Sequence, residues 1–156
     1  MIRTVLILGQ EIKRNMFKDL RFSWTKHIDD KYSDRQYLDF IISGQSLRDY
    51  LKIENRHIVT PFGFFPGNEI QINALKEFRL QKKTRLSDDR IELYICEACG
   101  DIGCGAITAK IIDQGDKIVW TQFASQSQLD EIGEIINIEK IEFDRQNYFK
   151  AFSTIS

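Results

Sequence analysis

Residues 91–123, IELYICEACGDIGCGAITAKIIDQGDKIVWTQF, constrain the fold more than any other part of the chain. They hold all three cysteines and one of the two tryptophans. The runs on either side of the cysteines are rich in β-branched and aromatic residues, which suit a pleated, half-buried surface. Gly100, Gly103 and Gly105 sit among the cysteines, and Gln114-Gly115-Asp116 separates the two later runs. Both interruptions are turn signals. Strands joined by such short connections pair antiparallel, because a parallel return needs a crossover of about a dozen residues or more. The stretch therefore predicts strand, tight turn, strand, hairpin and strand: a central meander.

The flanking chain adds helices to that sheet. Residues 4–8 read as a strand, and residues 11–24 fit either a short helix or a strand. Residues 26–36 are a polar loop or hairpin end, followed by a strand at 37–42. Ser46 is placed to cap a helix over 47–52, whose Leu47, Tyr50 and Leu51 share one face. A brief strand is expected at Ile58-Val59, and then Pro and Gly from 61 to 67 mark a loop whose phenylalanines fold into the core. Asn68 caps a helix to about residue 80, with Ile72, Leu75, Phe78 and Leu80 as its apolar stripe. A polar loop at 124–129 and a helical turn through Ile132, Ile135 and Ile136 follow. The chain ends in a short strand at 141–143 and a helix from 145 to 152 capped by Asp144. The fold class is α+β: a mostly antiparallel sheet with about three helices packed on it, in a single domain over residues 1–156.

Composition narrows the function classes. The 156 residues include eleven Phe, five Tyr and two Trp, ample material for a packed core. A net charge of −1 lacks the basic excess of a general nucleic-acid binder, so no direct nucleic-acid contact is expected. It also lacks a polybasic membrane anchor, and the apolar run at 5–8 is too short for a signal or a span. Three closely spaced cysteines are no disulfide framework of a secreted protein. A cytoplasmic location is expected.

Cys96, Cys99 and Cys104, spaced C-x2-C-x4-C, admit three readings. Two thiolates on a C-x2-C turn form half of a zinc site, with Cys104 as a third ligand, but no fourth ligand lies nearby in sequence. A redox pair would want a helix opening at the motif, and the glycines oppose one. The reading preferred on sequence grounds is a structural corner whose cysteines act as small buried apolar residues. The glycine spacing matches neither a dinucleotide fingerprint nor a P-loop. His27 and His57 read as surface residues, and no side chain is assigned a catalytic role. No cofactor is expected. Of the acidic pairs, Asp29-Asp30 and Asp88-Asp89 are candidates for contacting a basic protein partner.

A resemblance joins these motifs. The patterns F-x-x-x-G-x-S-L-x-x-x-L from Phe40, R-x-x-L-Y-x-C-x-x-C-G-D-x-G-C-G-A-x-T from Arg90, I-V-W-x-x-F from Ile118 and F-D-R-x-x-Y from Phe143 are similar to a family of small bacterial proteins of poorly defined function. Some of its members are labelled loosely as oxidoreductases. The family lends no active site to carry over. In size and class the chain also resembles bacterial immunity proteins, such as those of contact-dependent growth inhibition. That resemblance implies a non-enzymatic, protein-binding domain that neutralises a cognate toxin domain, for example a nuclease. The alternative is a small zinc- or thiol-dependent enzyme centred on Cys96, Cys99 and Cys104.

Overall fold

The computed structural model of the chain describes residues 17–27, 35–55, 57–65 and 69–155. The strand expected at 4–8 and the cap expected at Asn68 lie outside them. The described residues form an α+β fold of two antiparallel sheets and three α-helices. Strands β1 (Leu20–Lys26), β2 (Gln36–Ile42) and β3 (Gln45–Ser46) make the smaller sheet. Strands β4 (Ile58–Val59), β5 (Arg90–Cys96), β6 (Ala106–Asp113), β7 (Lys117–Gln126) and β8 (Ile141–Asp144) make the larger one, in sequence order. The helices are α1 (Leu47–Tyr50), α2 (Glu69–Phe78) and α3 (Arg145–Ser153). No helix among the described residues is long and apolar enough to cross a membrane.

The expected meander is β5, β6 and β7, and the ambiguous stretch before residue 26 resolves as β1. Both predicted side-chain caps form. Ser46 Oγ accepts from Arg48 N at 3.2 Å, and Asp144 Oδ2 accepts from Asn147 N at 3.0 Å. The α1 helix is shorter than its periodicity suggested, stopping at Tyr50.

Three local expectations are corrected. Residues 124–126 continue β7 instead of opening a polar loop, with Ala124 and Gln126 buried. Gln126 looks polar in sequence, but its Oε1 accepts from Thr108 Oγ1 at 2.8 Å inside the sheet. The helical turn through Ile132 and Ile135 does not form. Gly133 N donates to Ser125 O, Ser125 N donates to Glu134 O, and Ile135 bridges to Ala124, so this segment lies along β7. In α2 the buried face is Gln71, Ala74, Leu75 and Phe78, while Ile72 and Leu80 are exposed. Gln71 turns inward because its Oε1 accepts from Gly63 N at 2.7 Å.

The core lies between the sheets and the helices. Phe40 in β2 is fully buried and packs its ring against Phe22, Phe62, Phe78, Tyr94 and Trp120. Phe62 and Phe64 fold inward from the Pro/Gly loop, as the sequence predicts. Trp120 carries the contact on to Phe143 and Tyr148, and Tyr148 to Phe152. Polar bonds fix the same layers. Tyr94 OH donates to Asp39 Oδ1 at 2.6 Å, joining the two sheets, and Tyr148 OH donates to Phe78 O at 2.8 Å, joining α3 to α2. Truncating a buried Phe costs about 3–5 kcal/mol, from lost transfer energy plus the cavity left behind. Phe40→Ala is therefore expected to lower the unfolding free energy by that amount in urea denaturation, with Tyr148→Phe lowering it by about 1 kcal/mol through its single hydrogen bond.

Candidate metal centre

Cys96 ends β5, and the chain turns back through a 3-10 turn, Ile102–Cys104, to enter β6. The turn is tight because of its glycines. Gly100 has φ +66° and donates its N–H to Cys96 O at 3.0 Å, and a Cβ there would meet Ile70 Cδ1 at 3.0 Å. Gly105 has φ +96°, the left-handed region that glycine enters without cost. Each glycine directly follows a cysteine. Asp101 closes the turn by accepting from Gly103 N at 3.0 Å.

The result brings three thiols together. The Sγ atoms of Cys96, Cys99 and Cys104 all lie within 4.8 Å of one another, and Cys99 Sγ is 3.4 Å from Cys104 Sγ. Ligands of a tetrahedral zinc ion, with Zn–S near 2.3 Å, stand about 3.8 Å apart. A disulfide requires about 2.05 Å. The Cys99–Cys104 separation is too long for a disulfide and somewhat shorter than that ligand spacing. The backbone also prepares thiolates: Asp101 N donates to Cys99 Sγ at 3.4 Å, and the N–H groups of Ala98 and Cys99 donate to Cys96. Burial opposes ionisation of Cys96, but those N–H groups and the two neighbouring thiols outweigh it and hold its pKa below the ordinary thiol value. Hydrogen bonds and charge from Cys99 and Cys96 push Cys104 up to about 11.

The expectation of buried cysteines is corrected: Cys99 and Cys104 are exposed and Cys96 is half-buried. Among the described residues no fourth His, Cys, Asp or Glu joins the group. His27 is not on the surface. It is 2 % exposed and pairs through Nε2 with Glu97 Oε2. His57 is exposed as expected, and its Nδ1 lies 3.0 Å from Glu97 Oε1. Glu97 also donates its backbone N–H to His57 O at 3.0 Å, so these residues clamp the point where the chain leaves β5 for the cysteine turn. Nothing in the spacing of His27 and His57 signals that clamp, which depends on β4 pairing with β5.

A cleft of about 540 Å³ adjoins the cluster between α2 and β5. Cys99, Gly100 and Asp101 form one wall, and Asn73, Glu77 and Arg85 are among the residues opposite. Arg85 donates to Glu92 Oε1 at 2.8 Å and to Gly100 O at 3.0 Å, tying the cleft to the cysteine turn. Burial and the nearby Glu92 carboxylate raise the Glu77 pKa to about 7, against the pull of Lys82 and Arg85. A second cleft, of about 710 Å³, has Tyr37, Asp39 and Ser46 in its wall. The Asp39 carboxylate there is already engaged by Tyr94, Ser46 and the N–H of Phe40.

Of the acidic candidates, Asp29 and Asp30 lie outside the described residues. Asp88 and Asp89 are exposed on a 3-10 turn, Ser87–Asp89, that leads into β5. Neither lines the cleft that Cys99 walls. Asp88 borders a groove with Asp130, Glu131 and Ile132. Comparison with known protein families, curated proteins and solved structures finds no match.

The raised Glu77 pKa sets a pH dependence. The folded state holds this proton more tightly than the unfolded chain, so the associated stability is fully present below about pH 4.5 and lost as pH rises through about 7. Glu77→Gln is therefore expected to melt above the wild type at pH 8, with the gap closing as the pH is lowered to 4.5 in thermal scans.

Proposed function

We propose that Cys96, Cys99 and Cys104 hold one zinc ion and that the protein works through this centre. The supporting observation is the convergence of three sulfurs within 4.8 Å on a turn whose backbone N–H groups point at them. Thiolates select soft or borderline ions, and tetrahedral zinc suits their spacing. An iron–sulfur cluster held by four cysteines is not available to a chain with three cysteines in all. Three protein ligands with the fourth position left to an exogenous group is the arrangement of reactive zinc, whereas structural sites are closed by four. Protein purified without chelator is expected to carry one equivalent of zinc by elemental analysis. Cys99→Ser and Cys104→Ser are expected to lose it while keeping the far-ultraviolet spectrum of the fold. A folded wild-type protein that neither carries nor takes up zinc would reject the centre.

A second reading follows from a different surface. We propose that the chain also serves as a protein-binding domain of the immunity type, meeting a basic face of a toxin domain. It is favoured by the groove where Asp88, Asp130 and Glu131 outnumber Arg90 and Lys110 beside exposed Ile132. Such charges raise the association rate and select the partner. The product of a neighbouring toxin gene is the partner to titrate. Asp88→Lys combined with Glu131→Lys is expected to slow association at least tenfold at low salt, as roughly expected for steering charges. Tight binding that the reversal leaves unchanged would place the contact elsewhere, and no binding by the wild type would count against the immunity reading itself.

A further inference from the structure

We propose that the cleft between α2 and β5 is the ligand site of the thiolate centre, and that it takes a small carboxylate carrying a metal-coordinating group such as a thiol. This rests on the zinc reading above. Cys99 is both a wall of the cleft and a member of the cluster, so a molecule lying in the cleft touches the cluster at that residue. The volume, about 540 Å³, falls in the range of small-molecule sites. Its walls are mixed, with Ile70, Ala74 and Ile95 supplying apolar surface and a few polar groups set among them.

The charges around the cleft decide the sign of the ligand. Arg85 is matched by Glu92 at 2.8 Å and is occupied in holding Gly100 O. Lys82 and Lys83 stand on the same rim, and Lys82 is positioned by Asn73 Oδ1 at 2.7 Å. The acids facing them are Glu77 on α2, Glu92 on β5 and Asp101 on the cysteine turn. Glu92 is paired with Arg85, while Asp101, which accepts from the neutral Gly103 N–H within its own turn, keeps its charge and offsets one of the two lysines. Glu77 carries a proton for much of the time near neutrality, and in that form it donates to an incoming carboxylate where an ionised acid would repel it. Two lysines and a protonated acid next to three sulfurs form a cradle for an anion whose second group completes the metal's coordination.

Cobalt-substituted protein tests this, because cobalt–thiolate charge transfer reports the centre and the ligand-field bands report the fourth ligand. The probes are thioglycolate and 2-mercaptoethanol, which share a thiol and differ in the carboxylate. Thioglycolate is expected to shift the ligand-field bands with about tenfold tighter binding than 2-mercaptoethanol at pH 6.5, the size of one favourable charge contact near a protein surface. In Lys82→Gln/Lys83→Gln, where both changes are at exposed positions distant in sequence from the cysteines, the two probes are expected to bind within about twofold of each other. Charge transfer present but equal binding of the two thiols by the wild type, or a preference that survives the double substitution, would overturn the cleft while leaving the centre standing. Absence of cobalt–thiolate charge transfer in the wild type would overturn the centre, and the cleft reading with it.

Discussion

The Asp39 carboxylate governs how the two sheets meet. It is 1 % exposed, and a buried carboxylate persists only when its lone pairs are met. Tyr94 OH from β5, Ser46 Oγ from the β3–α1 junction and the N–H of Phe40 meet them. Burial and the adjoining Asp39 push the Tyr94 phenol well above its ordinary pKa, so it stays a neutral donor. One side chain thus fixes the smaller sheet, the start of α1 and the middle of β5 to one another. Phe40, its chain neighbour, fills the space beneath with ring contacts to both sheets. Tyr94 is two residues from Cys96, so the strand that launches the cysteine turn is held at its buried end by that bond and at its outer end by the Glu97 clamp.

That anchoring explains how an exposed turn can hold three thiols close together. Burial opposes ionisation of Cys96 but hydrogen bonds from N–H groups and the neighbouring thiols outweigh it, while hydrogen bonds and charge from Cys99 and Cys96 raise the pKa of Cys104. A divalent cation held by Cys96, Cys99 and Cys104 would favour loss of the thiol protons. Metal affinity at such a site falls steeply with acid, because each ligand must first lose its proton. The N–H groups aimed at Cys96 and Cys99 lower that cost before any ion arrives.

The sequence revealed the parts of the fold that are specified locally. The β5–β7 meander follows from β-rich runs separated by Gly turns, and the caps at Ser46 and Asp144 follow from a polar oxygen placed before an apolar helical face. What it concealed depends on contacts distant along the chain. His27 looks like a loop residue until the fold sets Glu97, just beyond β5, against the end of β1. Ile132 and Ile135 have helical spacing, but the backbone beside them bonds to β7. Glu77 is one acid in an amphipathic helix, and its burial, with Glu92 of β5 nearby, singles it out. The cysteine spacing was visible throughout. Whether its sulfurs point into the core or toward each other is set by the φ angles at Gly100 and Gly105, which C-x2-C-x4-C does not encode.

A metal at this turn would add little to the stability of the fold. It would close only the short loop through residues 96–104, and the entropy gained by closing a loop grows slowly with its length. The turn is already held by the Gly100–Cys96 and Gly105–Ile102 backbone bonds and by Asp101. The large aromatic side chains are buried elsewhere, around Phe40 and Trp120, and Cys99 and Cys104 are exposed. A structural zinc belongs where a small core cannot hold itself together, and here the core is extensive. Three thiols converging on a corner beside a cleft, two of them exposed, are better matched to meeting a ligand than to stapling the chain.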